Sequence, residues 1–117
     1  MNILHLRHGD FYLGVAPQLG AALSYFYRLS AGQRDDILRP ASAAALAQRE
    51  VCGMASFPLL PFCNRIRDGR FDFDGQSYQL AANLPPSAHA IHGVGWQSAW
   101  TVQALATDAV RLVLDYV

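Results

Sequence analysis

Apolar side chains alternate with other residues through most of the chain, which is the period expected of strands with one buried face. Leu4 and Leu6, then Phe11, Leu13 and Val15, follow this pattern, with Gly9-Asp10 between them as a turn. After Pro17-Gln18-Leu19-Gly20, the run Ala22 to Leu29 places Leu23, Tyr25 and Tyr27 at alternate positions, and aromatics suit a pleated, half-buried surface. Residues 31–36, Ala-Gly-Gln-Arg-Asp-Asp, read as a polar loop. Residues 41–49 form the one stretch that favours helix, being rich in alanine, with Ser42 available as a cap and Gly53 beyond the end.

Phe57-Pro-Leu-Leu-Pro-Phe62 carries two prolines that cannot donate to a sheet ladder, so an irregular or edge segment is expected. Residues 70–80 then give the strongest local signal. Asp74-Gly75 stands between alternating runs and fits a two-residue hairpin turn, because both positions need positive φ. That register pairs Phe71 with Tyr78 and Phe73 with Gln76. A polar loop with Pro85-Pro86 follows, and two further strands are expected over Trp100–Leu105 and Val110–Val117. The second runs to the last residue with no turn after it. The resulting expectation is an all-β chain of short antiparallel strands, a sandwich or part of a large one, with at most one short helix.

Composition narrows this picture. A chain of 117 residues fits one domain and buries roughly two-thirds of its unfolded surface. Hydrophobic residues make up 52% and charged residues 15%. Such an apolar share suits either a well-packed core or strands that expect neighbours. Nine basic and nine acidic residues cancel, every basic residue is arginine, and the arginines are scattered. No surface can carry a large field of one sign, which argues against nucleic acid or an anionic membrane as partner. The first residues carry no basic region followed by an apolar run, and no segment approaches the ~20 apolar residues that span a bilayer. A cytoplasmic protein is expected. Cys52 and Cys63 lie outside any Cys-x-x-Cys spacing and are expected to be free, buried thiols.

Few residues are placed for chemistry. Arg65 stands between the proline segment and the hairpin, where its guanidinium could present a fixed fork of donors to sugar hydroxyls or a carboxylate, or simply cover apolar surface with its stem. His92, before Gly93, could donate to a hydroxyl or ring oxygen, or be tied to the backbone. His89 and His92 lie three apart on an extended segment and so face opposite sides, with no acidic or cysteine cluster beside them, so no metal site is expected. Trp96 offers a ring face for a sugar, or a core side chain. The carboxylates fall in loops and turns, and no acid–base pair emerges.

The motifs taken together, in order, resemble a known family. Phe57-Pro-Leu-Leu-Pro-Phe-Cys-Asn-Arg-Ile66, Gly69 to Leu80, Asn83, His89-Ala-Ile-His-Gly93 and Trp100, preceded by Pro17-Gln-Leu-Gly-Ala21 and Asp36-Ile-Leu-Arg-Pro40, are similar to the aldose 1-epimerases. The resemblance covers nearly the whole chain, with Arg65 and His92 standing 27 positions apart. It implies that residues 1–117 are the N-terminal portion of a galactose mutarotase-like β-supersandwich, incomplete at the C-terminus. It further implies an aldohexose of glucose or galactose type as ligand and no cofactor. Arg65 and His92 take the family's sugar-binding places, Asn64 shapes the pocket beside them, and Trp96 is the candidate stacking face. The general acid and base of the family lie later in its chains, beyond position 117, so this chain alone is expected to orient a sugar without interconverting its anomers. The other reading is a non-catalytic carbohydrate-binding or self-assembling β-module. Exposed strand edges predict a homo-oligomer.

Overall fold

The computed structural model describes all residues, Met1–Val117. In chain order the elements are β1 (Leu4–His8), β2 (Phe11–Ala16), β3 (Ala22–Ser30), β4 (Gln33–Leu38), α1 (Ala43–Gln48), β5 (Arg65–Ile66), β6 (Arg70–Phe73), β7 (Gln76–Gln79), β8 (Ala90–Ile91), β9 (Thr101–Leu105) and β10 (Val110–Val113). Short 3-10 turns lie at Val51–Gly53, Arg67–Gly69 and Gly95–Gln97. All paired strands are antiparallel. The expected all-β class, with one short helix, is what the chain adopts.

Two compact units are present. The larger comprises Met1–Pro58 and Gly95–Val117, and the smaller Leu59–Val94.

In the larger unit β1, β2, β3 and β4 form a four-stranded meander in that order, and β9 pairs with β10. β4 falls where the sequence suggested a polar loop. Its six residues, Gln-Arg-Asp-Asp-Ile-Leu, show no alternation, because an edge strand with exposed faces has no core side to specify. The signal lies in the turn before it. Ala31 and Gly32 both adopt positive φ, 51° and 77°, as a two-residue hairpin turn requires. Arg34 then lays its guanidinium 3.9 Å over the Tyr27 ring and donates from Nε to Asp36 Oδ1 at 2.8 Å, so the strand's charges are held by its own neighbours. Tyr25, on the same strand as Tyr27, shares a hydrogen bond with His5 Nδ1 at 2.5 Å. Burial raises its phenol pKa above the ordinary value, Tyr27 adds to the rise, and Arg34 opposes it.

The core beside this sheet is built from small side chains. Ala16, Leu19, Ala22 and Met54 are buried, with Ile3, Ala41, Leu46, Val51 and Phe57 packed around them. Ser42 caps α1 as expected, its hydroxyl accepting from the Ala45 N–H at 3.0 Å. The helix ends four residues before Gly53, at Arg49 in the left-handed region (φ 56°). Both cysteines are free, as expected, but exposed where burial was expected. Cys52 sits in a 3-10 turn and Cys63 in an irregular segment, and neither has the period that would aim it at a core. β10 stops at Val113, so Leu114–Val117 do not continue the strand predicted for them.

The smaller unit holds the β6–β7 hairpin in the predicted register, Phe71 opposite Tyr78 and Phe73 opposite Gln76. Asp74 and Gly75 have φ of 49° and 74°, and the Phe71 and Tyr78 rings stack 5.2 Å apart.

Gly20 tests the packing of the larger unit. Its φ is +64°, and a Cβ there would overlap the Trp96 carbonyl, whereas Gly9 (φ +56°) has no atom near that position. Denaturant unfolding should show Gly20→Ala losing about 3 kcal/mol or more, against about 1 kcal/mol for Gly9→Ala, since only the first adds backbone overlap to left-handed strain.

Candidate functional site

β5 and β8 are two residues each, and their register sets Arg65 opposite Ile91 and Ile66 opposite Ala90. Asn64 immediately precedes β5 and His92 immediately follows β8, so the pairing brings these two face to face at one end of the ladder. Both leave the strand through the left-handed region, with φ of 60° and 61°. The conformation is uncommon outside glycine, and Asn and His tolerate it better than most residues. The His92 N–H donates to the Asn64 carbonyl at 3.0 Å. In return the Asn64 N–H donates to His92 Nδ1 at 3.2 Å. The Asn64 side chain closes the corner, Oδ1 accepting the Arg65 N–H at 2.9 Å.

This arrangement has a chemical consequence. A ring nitrogen that accepts an amide hydrogen carries none itself, so the neutral His92 imidazole bears its proton on Nε2. The ring is a donor at the nitrogen away from the backbone. Arg65 is exposed, and none of the chain's ion pairs uses it. Its guanidinium keeps its donors for another partner.

Gly93 allows the corner to close. Its φ is +68°, and a Cβ would overlap the Leu60 carbonyl, which accepts the Val94 N–H at 2.8 Å. Asn83 braces the same turn. Its Nδ2 donates to the carbonyls of Ile91 (2.7 Å) and Gly93 (3.2 Å), and its Oδ1 accepts the Ile91 N–H at 2.8 Å. The sequence placed Asn83 at the edge of a polar loop and gave it no role; nothing local marks it, because its partners are backbone groups eight and ten residues on.

The remaining candidates sit elsewhere. His89 Nδ1 accepts the Asp68 N–H at 2.9 Å and lies 3.7 Å from Asp68 Oδ1, binding the turn Arg67–Gly69 to the start of β8. No group of three or more His, Cys, Asp or Glu side chains converges as a metal site. Trp96 belongs to the larger unit and is only 1% exposed. Its ring stacks on Phe57 at 5.8 Å, and its carbonyl lies against Gly20. So enclosed, the indole offers no face to a sugar; of its two readings, the core one describes it.

Comparison with known proteins gives the chain's family. The sequence model of the aldose 1-epimerase family matches residues 2–117. The chain belongs to the aldose 1-epimerase family. It is 34% identical over 116 residues to the uncharacterized protein YphB of Escherichia coli K12, covering 99% of this chain and 37% of that protein. Among solved structures it superposes on a candidate aldose 1-epimerase of E. coli K12 with a TM-score of 0.85 at 31% identity, covering 98% of this chain and 36% of the other. A galactose mutarotase-like protein from Clostridium acetobutylicum (TM-score 0.69, 20% identity, 98% and 35% covered) shows the same fold. The chain thus spans just over a third of the length of the epimerase-family proteins it matches.

Replacing Asn64 separates its backbone role from its side-chain role. Asn64→Gly keeps left-handed freedom and loses only the Oδ1 bond, whereas Asn64→Ala loses both. Thermal or denaturant unfolding should rank wild type above Gly above Ala, with Ala lower than wild type by about 1–2 kcal/mol.

Proposed function

We propose that this chain supplies the sugar-orienting part of an aldose 1-epimerase site, with Arg65 and His92 as hexose ligands and Asn64 shaping the corner between them. The observation that carries this reading is the His92 ring held by the Asn64 amide at Nδ1, next to an exposed arginine that takes part in no ion pair. An Nε2–H and a guanidinium fork are both donors, and a neutral pyranose offers acceptors in its hydroxyl and ring oxygens. Family membership supports an aldohexose as the substrate class.

Interconverting anomers requires more than orientation. A base removes the proton of the anomeric hydroxyl while an acid protonates the ring oxygen; the bond from C1 to that oxygen breaks, the aldehyde rotates, and the ring closes on its other face. We assign that proton transfer to groups outside these 117 residues, which form the N-terminal portion of the sandwich. On this reading the chain alone binds a hexose weakly and leaves the exchange at its uncatalysed rate. Titration with glucose and galactose, followed by amide NMR, should shift the signals of Asn64, Arg65 and His92 with a dissociation constant on the order of millimolar. Arg65→Ala and His92→Ala should each abolish the shifts, while polarimetry shows no acceleration. Unchanged signals at saturating hexose would refute the sugar site, and clear acceleration would refute the division of labour.

Self-association is the second part of the proposal. The β4 edge is guarded by Arg34, Asp35 and Asp36, whereas the β9–β10 ribbon exposes Val102 (40%) and Leu105 (56%). Pairing between copies through this ribbon should raise the mass seen by light scattering above 12.8 kDa with increasing concentration, and Leu105→Arg should reverse it. A single species of monomer mass at high concentration would contradict it.

A further inference from the structure

Ile91 stands opposite Arg65 in the ladder, yet its own N–H and C=O both go to the Asn83 carboxamide. Successive residues of a strand aim their backbone groups at opposite edges. On β8 the β5 edge is served by the His92 N–H, which reaches Asn64, and the other edge by Asn83. At Ile91 one side chain does the work of a peptide unit, since a primary amide carries the same donor and acceptor pair. Its second donation, to Gly93, fixes the chain on the far side of His92. His92 is therefore bracketed, with the residues before and after it tied to a single carboxamide.

We propose that Asn83 is a positioning residue for His92, holding its backbone in the left-handed conformation that delivers Nδ1 to the Asn64 amide and so sets the protonated Nε2 toward a ligand. This rests on the reading of His92 as a hexose ligand, and Asn83 acts only through it. The geometry supports the assignment in two ways. A histidine at φ 61° occupies a sparsely populated region, and the hydrogen bonds on either side of it help to hold it there. The bracket is also half-buried, where competition from water for the amide is reduced.

The test uses the full chain without sugar first. Imidazole nitrogen NMR of wild type at a pH where the histidines are neutral should show His92 with one acceptor and one protonated nitrogen. Asn83→Leu, close in size but unable to hydrogen-bond, should bring the two His92 nitrogens toward averaged shifts, the mark of mixed tautomers. Asn83→Asp retains an acceptor for the Ile91 N–H and loses both donations, and should give the same change to a smaller extent, so the outcome does not depend on one variant folding. His89 is the internal control. Its Nδ1 accepts an amide from Asp68 and owes nothing to Asn83, so its signals should stay put. Loss of order at both histidines would mean a general loosening and would overturn the positioning role, as would an unchanged His92. Hexose titration comes second, where both variants should bind about tenfold more weakly, as expected for a lost orienting contact. If His92 responds as described but wild type binds no hexose, the sugar reading fails while the control of His92 by Asn83 stands.

Discussion

Asn64 and His92 exchange hydrogen bonds across the end of a two-residue ladder, and the shape of that corner of the smaller unit follows from the exchange. A pairing as short as β5 with β8 has little strength of its own, since each residue adds one bond for two fixed dihedrals. Sequence-distant residues 64 and 92 meet there because both leave their strands in the left-handed region, which turns an amide of one toward the ring of the other. A backbone amide fixes a tautomer more firmly than a side chain would, because it has no rotamer to lose. Gly93 and the Leu60 carbonyl then leave no room for the corner to open on that side.

The larger unit solves a different problem, that of burying a tryptophan. Gly20 lies against the main chain of Trp96, and Ala16 and Ala22 flank the neighbouring core. Trp100 contributes by donating from Nε1 to the Gly95 carbonyl at 2.9 Å and from its backbone N–H to Pro17 at 2.9 Å. Both tryptophans thus serve the packing of this unit, so an aromatic residue near a candidate site in sequence was a poor guide to a ligand face.

Local chemistry was legible in the sequence, and edge or long-range roles were not. The Asp74-Gly75 turn and the Ser42 cap depend on two to four consecutive residues, and both stand where those residues put them. β4 was hidden because its side chains face solvent at the edge of the sheet, leaving no period to read. The spacing of the cysteines said nothing of their exposure, which is decided by the path of irregular chain around them. Arg65, Asn64 and His92 could be singled out only through the ordered series of motifs that surrounds them; composition and spacing left each with an ordinary structural explanation. Asn83 stood inside that same series, yet its part emerges only when its carboxamide is seen to bond the backbone on both sides of His92, at Ile91 and at Gly93.

Cys63 lies one peptide bond from Asn64 and is exposed and unpaired. A thiol so placed is a natural attachment point for a fluorophore or spin label whose environment follows the corner without occupying it.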